Sequence, residues 1–363
     1  MGMKVECPSW WEGCRLAWTA REPIEHRNYV QARARLHGLV YTAMPGEVIS
    51  LLAPTRNGKS HMIEDFTEDQ NDHAIEHFSG QIPAVLVQAA NTDKDSTFGA
   101  KVFYRNGMTK LHSIFYSLDS PIKSEFTELA NPTEAKLEMA FRRSLKAINC
   151  KYLIIDEAQH IQYARGGNAG ASRFLDSMKT LAEDCGSILI LSGTYPLLDV
   201  LDLSSHFSGR RFDIFFERYG RLSSEHVNEF AQCLSALTEK VEWKSDTNPY
   251  QDLIFEIYEK SMGIFGFAFA IVRASVAEMI ARGDKFMEHK HIKHVLKFRQ
   301  LPQLTIDEVE EGERKLAERQ PQGGSSQDAL EITDQGKNGA SVKQKGKPFR
   351  CKPGIKTGKD HWK

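Results

Sequence analysis

Hydrophobic and polar positions divide the chain into regimes. Between residues 46 and about 220, short apolar runs alternate with amphipathic segments. The runs Glu47–Leu52, Ala84–Ala89, Tyr152–Ile155 and Ser187–Ser192, with a fifth at Asp213–Glu217, read as strands buried on both faces. Helical segments are expected at Lys59–Glu68, Thr109–Leu118, Thr133–Ile148, Ser172–Asp184 and Tyr195–Asp202. This alternation predicts an α/β fold, a parallel sheet sandwiched by helices, with ligands at the carboxyl ends of its strands. From Ser223 the pattern turns helical, over Ser223–Leu237, Pro249–Met262, Gly266–Arg282 and His289–Arg299. These four predict a small lid packed through Ile254, Phe255, Ile257, Phe269, Ile271, Val272 and Met279. Ahead of the sheet, Glu25–His37 predicts a helix with Tyr29, Ala32 and Leu36 on one stripe and Gly38 as its stop. The expected division is an N-terminal extension over 1–45, a core over 46–220, the lid over 221–303 and a polar tail over 304–363. Within that tail, residues 320–363 are expected to be disordered.

Composition narrows the class. The chain has 363 residues, of which 41% are hydrophobic, enough for two modest domains. No stretch approaches the roughly 18 apolar residues that span a bilayer. Residues 1–11 carry Lys4, Glu6 and two tryptophans where a secretion signal needs an apolar run, so a cytoplasmic protein without a membrane partner is expected. The six cysteines are dispersed, without a CxxC pair. Reduced thiols are the expectation, with a disulfide or metal half-site at Cys7 and Cys14 as the alternative. The formal net charge of −1 hides an asymmetry: residues 337–363 hold eight Lys and one Arg against Asp360, a net of +8. Such a basic end suits nucleic acid or an acidic partner, and equally a solubilising tail.

The chemistry concentrates in two distant runs. Leu51-Leu52-Ala53 leads into Pro54-Thr55-Arg56-Asn57-Gly58-Lys59-Ser60-His61, which reads as a phosphate-binding loop between a strand and a helix. Its backbone N–H groups and the helix N-terminus would cradle the β- and γ-phosphates of ATP. Lys59 would neutralise phosphate charge, and the Ser60 hydroxyl would ligate Mg²⁺. Ala53 stands where a glycine is usual, so the turn there must avoid a positive φ. About a hundred residues later, the strand Tyr152–Ile155 ends in Asp156-Glu157. Asp156 would hold the metal, and Glu157 would orient or deprotonate the attacking water. Thr194, after Ile188–Leu191, could sense the γ-phosphate or simply cap a turn. Arg210 and Arg211 could complete a neighbouring subunit's site as an arginine finger, or pair with acids such as Asp213 or Glu217.

Together, this loop, Asp156-Glu157-Ala158-Gln159-His160, Ser192-Gly193-Thr194-Tyr195-Pro196 and Arg210-Arg211-Phe212 ahead of a helical lid resemble the AAA+ ATPases. More narrowly, they resemble the TniB/TnsC branch of transposition regulators, over residues 30 to 300. The resemblance implies an ATPase, completed between subunits, that winds as a ring or filament around double-stranded DNA. It also implies recruitment of a transposase, with a target selector as a further partner. By the same resemblance, backbone phosphates would be met by the region after the second strand, 91–107, and just beyond. Lys101, Arg105 and Lys110 supply cations there, with Phe103 and Tyr104 interleaved, and Arg165 is a further candidate. A solvated loop with a small hairpin fits 91–107 as well. The lid lacks an arginine just after Gly266, with Arg273 as a distant substitute. Two other readings fit the motifs: a related AAA+ protein serving replication, partition or secretion, and a nucleotide-gated scaffold that hydrolyses little.

Overall fold

The computed structural model describes residues 7–19, 24–77, 82–91, 97–117, 132–204, 209–220 and 224–319. Five strands, β1 (Val48–Leu52), β2 (Ala84–Gln88), β3 (Tyr152–Asp156), β4 (Ile188–Gly193) and β5 (Arg211–Phe215), form one all-parallel sheet. Their order is β2-β3-β4-β1-β5. Alternating side chains feed two cores, as the two-residue period of a strand requires. Ile49, Leu51, Ile154 and Ile190 join α2 (Arg27–Thr42) and α3 (Lys59–His77) on one face. Leu52, Leu153, Ile155, Leu189 and Leu191 join α4 (Ala100–Ser117), α5 (Glu134–Ala147) and α6 (Gly167–Cys185) on the other. Both faces are covered, which is why the inner strands are continuous apolar runs rather than alternating ones.

Several elements differ from expectation. Helix α2 runs through Gly38 to Thr42, because Val40 extends the buried stripe of Tyr29, Ala32 and Leu36. Helix α4 starts at Ala100, well before Thr109, and takes up residues 100–107 of the stretch read as a loop. Phe103 and Tyr104 are 1% and 2% exposed, and Gly107 leaves only 2.6 Å between an added Cβ and the Phe141 ring. Of the small hairpin, the described residues hold one isolated antiparallel bridge, Asn91 to Phe98.

After β4 come the short α7 (Leu197–Leu201), then α8 (Ser224–Thr238), α9 (Pro249–Asp252), α10 (Ile254–Ser261), α11 (Phe265–Ala281) and α12 (His289–Phe298). The single helix expected over Pro249–Met262 is interrupted at Leu253. Ile257, Ile271, Val272 and Met279 fill the lid core, whereas Phe255 is 69% exposed and takes no part in it. The N-terminal α1 (Trp11–Thr19) docks on this lid rather than standing apart. Trp10 Nε1 donates to the Lys285 carbonyl and Trp18 Nε1 to the Leu237 carbonyl, each at 3.0 Å. Cys14 is free and buried in the same cluster.

A further difference lies at the C-terminal end. The tail expected from residue 304 begins as an ordered helix, α13 (Gln303–Arg319), whose Val309 and Leu316 enter the sheet's core. The first compact unit accordingly runs to Ala317. The run 337–363 lies outside the described residues. Among the described residues, no helix is long and apolar enough to cross a membrane.

One buried group sets a pH response. His26 lies flat between the rings of Phe216 (5.9 Å) and Phe265 (5.3 Å), and its Nδ1 meets the Tyr219 hydroxyl at 2.8 Å. Burial pushes its pKa down to about 4. The unfolded chain therefore takes up the proton first, and stability present above pH 6.5 drains away as pH falls towards 4. The full effect is bounded at about 3 kcal/mol. Denaturation midpoints followed by circular dichroism should fall across that window, and His26→Phe should flatten this component. An unchanged slope in the variant would assign the effect elsewhere.

Candidate nucleotide site

The inner strand β1 delivers the loop 53–58 between the carboxyl ends of β4 and β5, where Leu52 pairs with Gly193 on one side and Phe215 on the other. Ala53 keeps an ordinary negative φ, and the positive φ values fall on Arg56 (60°) and Gly58 (94°). Asn57 pins the loop from below: its Nδ2 donates to the carbonyls of Phe216 and Glu217 at 3.0 and 3.2 Å. From above, the Gly266 amide donates to the Arg56 carbonyl at 2.9 Å. An added Cβ on Gly266 would come within 2.3 Å of that same oxygen, so the lid helix α11 packs directly on the loop.

Helix α3 begins at Lys59, which places Lys59 and Ser60 at a helix N-terminus suited to anions. Lys59 is 5% exposed, and its Nζ donates to Glu157 Oε1 at 3.4 Å. Glu157 sits just past β3 with φ 54°, in the left-handed region that turns its carboxylate out of the strand direction. Asp156 is 7% exposed, and its Oδ1 has no hydrogen-bond partner; nor does the buried Ser192 Oγ on the adjacent strand. Orphaned buried polar atoms cost about 1–3 kcal/mol each, so they mark a place built for a ligand. A hard cation fits this donor set, since Mg²⁺ takes few protein oxygens and completes its shell with phosphates and water.

Gln159, which the motif contains but whose role no local pattern announces, ties the pieces together. Its Nε2 donates to Glu157 Oε2 at 2.5 Å, and its Oε1 accepts from the Thr194 amide at 3.2 Å. An added Cβ on Gly193 would stand 2.7 Å from that oxygen. Thr194, 7% exposed at the end of β4, therefore lies beside the loop and is coupled to Glu157 through one side chain. Two further residues escape the motifs. Arg299, past α12, shares with Thr55 and Arg56 a cleft of about 1050 Å³ on the outer side of the loop. Burial and the nearby Arg56 guanidinium lower its pKa, and its Nε is buried without a partner. Glu308 of α13 reaches the site from the C-terminal side.

The remaining candidates lie apart. His61 pairs with Asp65 at 2.9 Å, one turn along α3. Arg210 and Arg211 sit at the start of β5, opposite Val48, at the far end of the sheet from this subunit's own loop. Arg211 is clamped by Asp213 (2.9 Å) and Asp202 (3.4 Å) with its side chain 14% exposed. Arg210 is 56% exposed and holds Glu183 at 2.7 Å. Arg105 and Lys110 are exposed on α4 and Lys101 is half-buried, while Phe103 and Tyr104 point into the core. The interleaved aromatics are thus packing residues. Arg165 is exposed after the turn that follows β3. Arg273 lies over the Phe269 ring at 5.7 Å, beside Trp11 and away from the phosphate loop.

Solved structures share this architecture. The chain is similar to the Walker-type ATPase PABY2304 of Pyrococcus abyssi (TM-score 0.50, 16% identity, covering 79% of this chain and 76% of that one). It is also similar to the ORC2 protein of Aeropyrum pernix in ADPNP–ADP complexes (0.50, 13%, 81% and 74%). A third likeness is to Drosophila ORC bound to DNA (0.52, 12%, 82% and 69%). No curated protein matches the chain. The family model of the bacterial TniB protein matches residues 16–219, more than half of the sequence and all five strands. The chain therefore belongs to the TniB family, built on an AAA+ P-loop ATPase fold.

Proposed function

We propose that the protein is an ATP-dependent regulator of DNA transposition that assembles on double-stranded DNA and recruits a transposase. The observation that carries this reading is the convergence of Lys59, Asp156, Glu157 and Thr194 at the ends of β1, β3 and β4 in a TniB-family chain. In it, residues 46–220 bind ATP, residues 221–303 form the lid, and the site works in the cytoplasm. The loop amides and Lys59 bind the phosphates, Ser60 and Asp156 hold Mg²⁺, and Glu157 takes the proton of the attacking water. Bound Mg²⁺ would neutralise charge on the β- and γ-phosphates. Gln159 fixes Glu157 against Thr194, so base and phosphate sensor are positioned together. Arg210 is the better finger for a neighbouring subunit, because its guanidinium is exposed whereas Arg211 is spent on Asp202 and Asp213.

The DNA-bound state of Drosophila ORC and the basic residues Arg105 and Lys110 support a DNA partner. Exposed cations meet backbone phosphates without reading sequence, so binding should weaken steeply with salt. The deciding experiment images the purified protein with a slowly hydrolysed ATP analogue, with and without duplex DNA. Rings or filaments are expected only when both are present. Assemblies that ignore DNA would overturn the transposition reading in favour of another AAA+ role.

A further inference from the structure

Helix α13 is polar in composition and follows the lid, yet it is bolted across the core. Val309 is fully buried and Leu316 nearly so. Gly312 lies against Tyr195, one residue past Thr194, so closely that an added Cβ would stand 2.2 Å from the ring. Arg218 Nε and Nη2 donate to the two carboxylate oxygens of Glu313 at 2.6 and 2.8 Å, and Lys315 Nζ donates to Asp199 at 2.7 Å. These five anchors, Val309 next to it and Gly312 one turn on among them, fix where Glu308 must go.

Glu308 goes into the phosphate site. Its Oε1 is buried and has no partner. The Thr194 hydroxyl, the Lys59 ammonium and the Glu157 carboxylate all act on its carboxyl, the first two favouring its charge and the third opposing it. Burial outweighs them and holds the group above the usual carboxylate range. Thr194 and Lys59 are the two side chains that a γ-phosphate would engage. Each is less than 8% exposed with α13 in place. An anion of the chain itself therefore stands where the terminal phosphate of a triphosphate would bring its own charge.

We propose that Glu308 is a specificity-determining residue of the nucleotide site: a nucleoside diphosphate enters with α13 docked, whereas a triphosphate must expel Glu308 and lift α13. This rests on the nucleotide-site reading above. Like charges repel strongly in a site shielded from water, so the discrimination falls on the third phosphate alone. Unlocking α13 is then the event that distinguishes the ATP state from the ADP state.

The test measures ADP and ADPNP binding by calorimetry to the full-length wild type, Glu308→Gln and Gly312→Ala. The first variant removes the charge at constant size, and the second forces α13 off Tyr195. Both should tighten ADPNP by about tenfold and move ADP by less than about twofold, and in the wild type ADPNP alone should raise hydrogen exchange across α13. Equal shifts for both nucleotides, no shift in either variant, or α13 exchange indifferent to the nucleotide would overturn the proposal. If ADP also fails to bind the wild type, the nucleotide-site reading itself falls, and this inference with it.

Discussion

Lys59→Ala is expected to weaken ATP binding by at least about a hundredfold, and to abolish assembly on DNA with it. The magnitude follows from what one ammonium does here. Lys59 sits at the first turn of α3 and is almost fully buried, so its charge is poorly screened. Hydrogen bonds to charged partners contribute about 1.5–3 kcal/mol each, and one to each of two phosphates accounts for more than the ~2.7 kcal/mol that a hundredfold loss represents. The substitution also strips Glu157 of its cation, adding uncompensated negative charge where phosphates must bind. Titration with a fluorescent ATP analogue reads the loss directly, and unchanged secondary structure by circular dichroism excludes a folding defect. A variant that kept wild-type affinity would refute the site.

Glu157→Gln should act on the other half of the reaction. The amide keeps the size of the carboxylate and an oxygen able to accept from Gln159, so ATP should still bind within a few fold. What disappears is the base, and general-base removal costs about 10²–10⁴ in rate. DNA-stimulated turnover should therefore drop by about two to three orders of magnitude while DNA-bound oligomers accumulate, since hydrolysis no longer resets them. Phosphate release and imaging of the same sample separate the two effects. Loss of ATP binding in this variant would make Glu157 a structural partner of Lys59 and nothing more.

The inner strands β1, β3 and β4 were legible because each is mostly a run of buried β-branched and Leu residues, whereas β5 buries only Ile214 among its five residues. The phosphate loop and Asp156-Glu157 were legible because backbone geometry and metal chemistry restrict the residues that fit there. Helix α4 was misread for a physical reason. Phe103, Tyr104, Gly107, Met108 and Leu111 form one buried helical stripe, but Lys101, Arg105 and Lys110 between them break the apolar pattern and give the stretch the look of a basic loop. Helix α13 hides its buried face in three positions, Val309, Gly312 and Leu316, spaced three and four residues apart among charges. Glu308 and Arg299 carry no local signal at all, since their meaning comes from what the fold brings near them. Arg211 shows the converse: the acid that occupies it is two residues away in sequence, and that simpler pairing is part of what holds it.

The docking of α1 on the lid makes the protein its own optical reporter. Trp10, Trp11, Trp18 and Trp243 all belong to or pack against the lid cluster, out of five tryptophans in the chain. The sheet and its phosphate loop contain none among the described residues. Emission from the native chain thus follows the surroundings of the lid almost alone, and stopped-flow mixing with nucleotide would time lid rearrangement without a label.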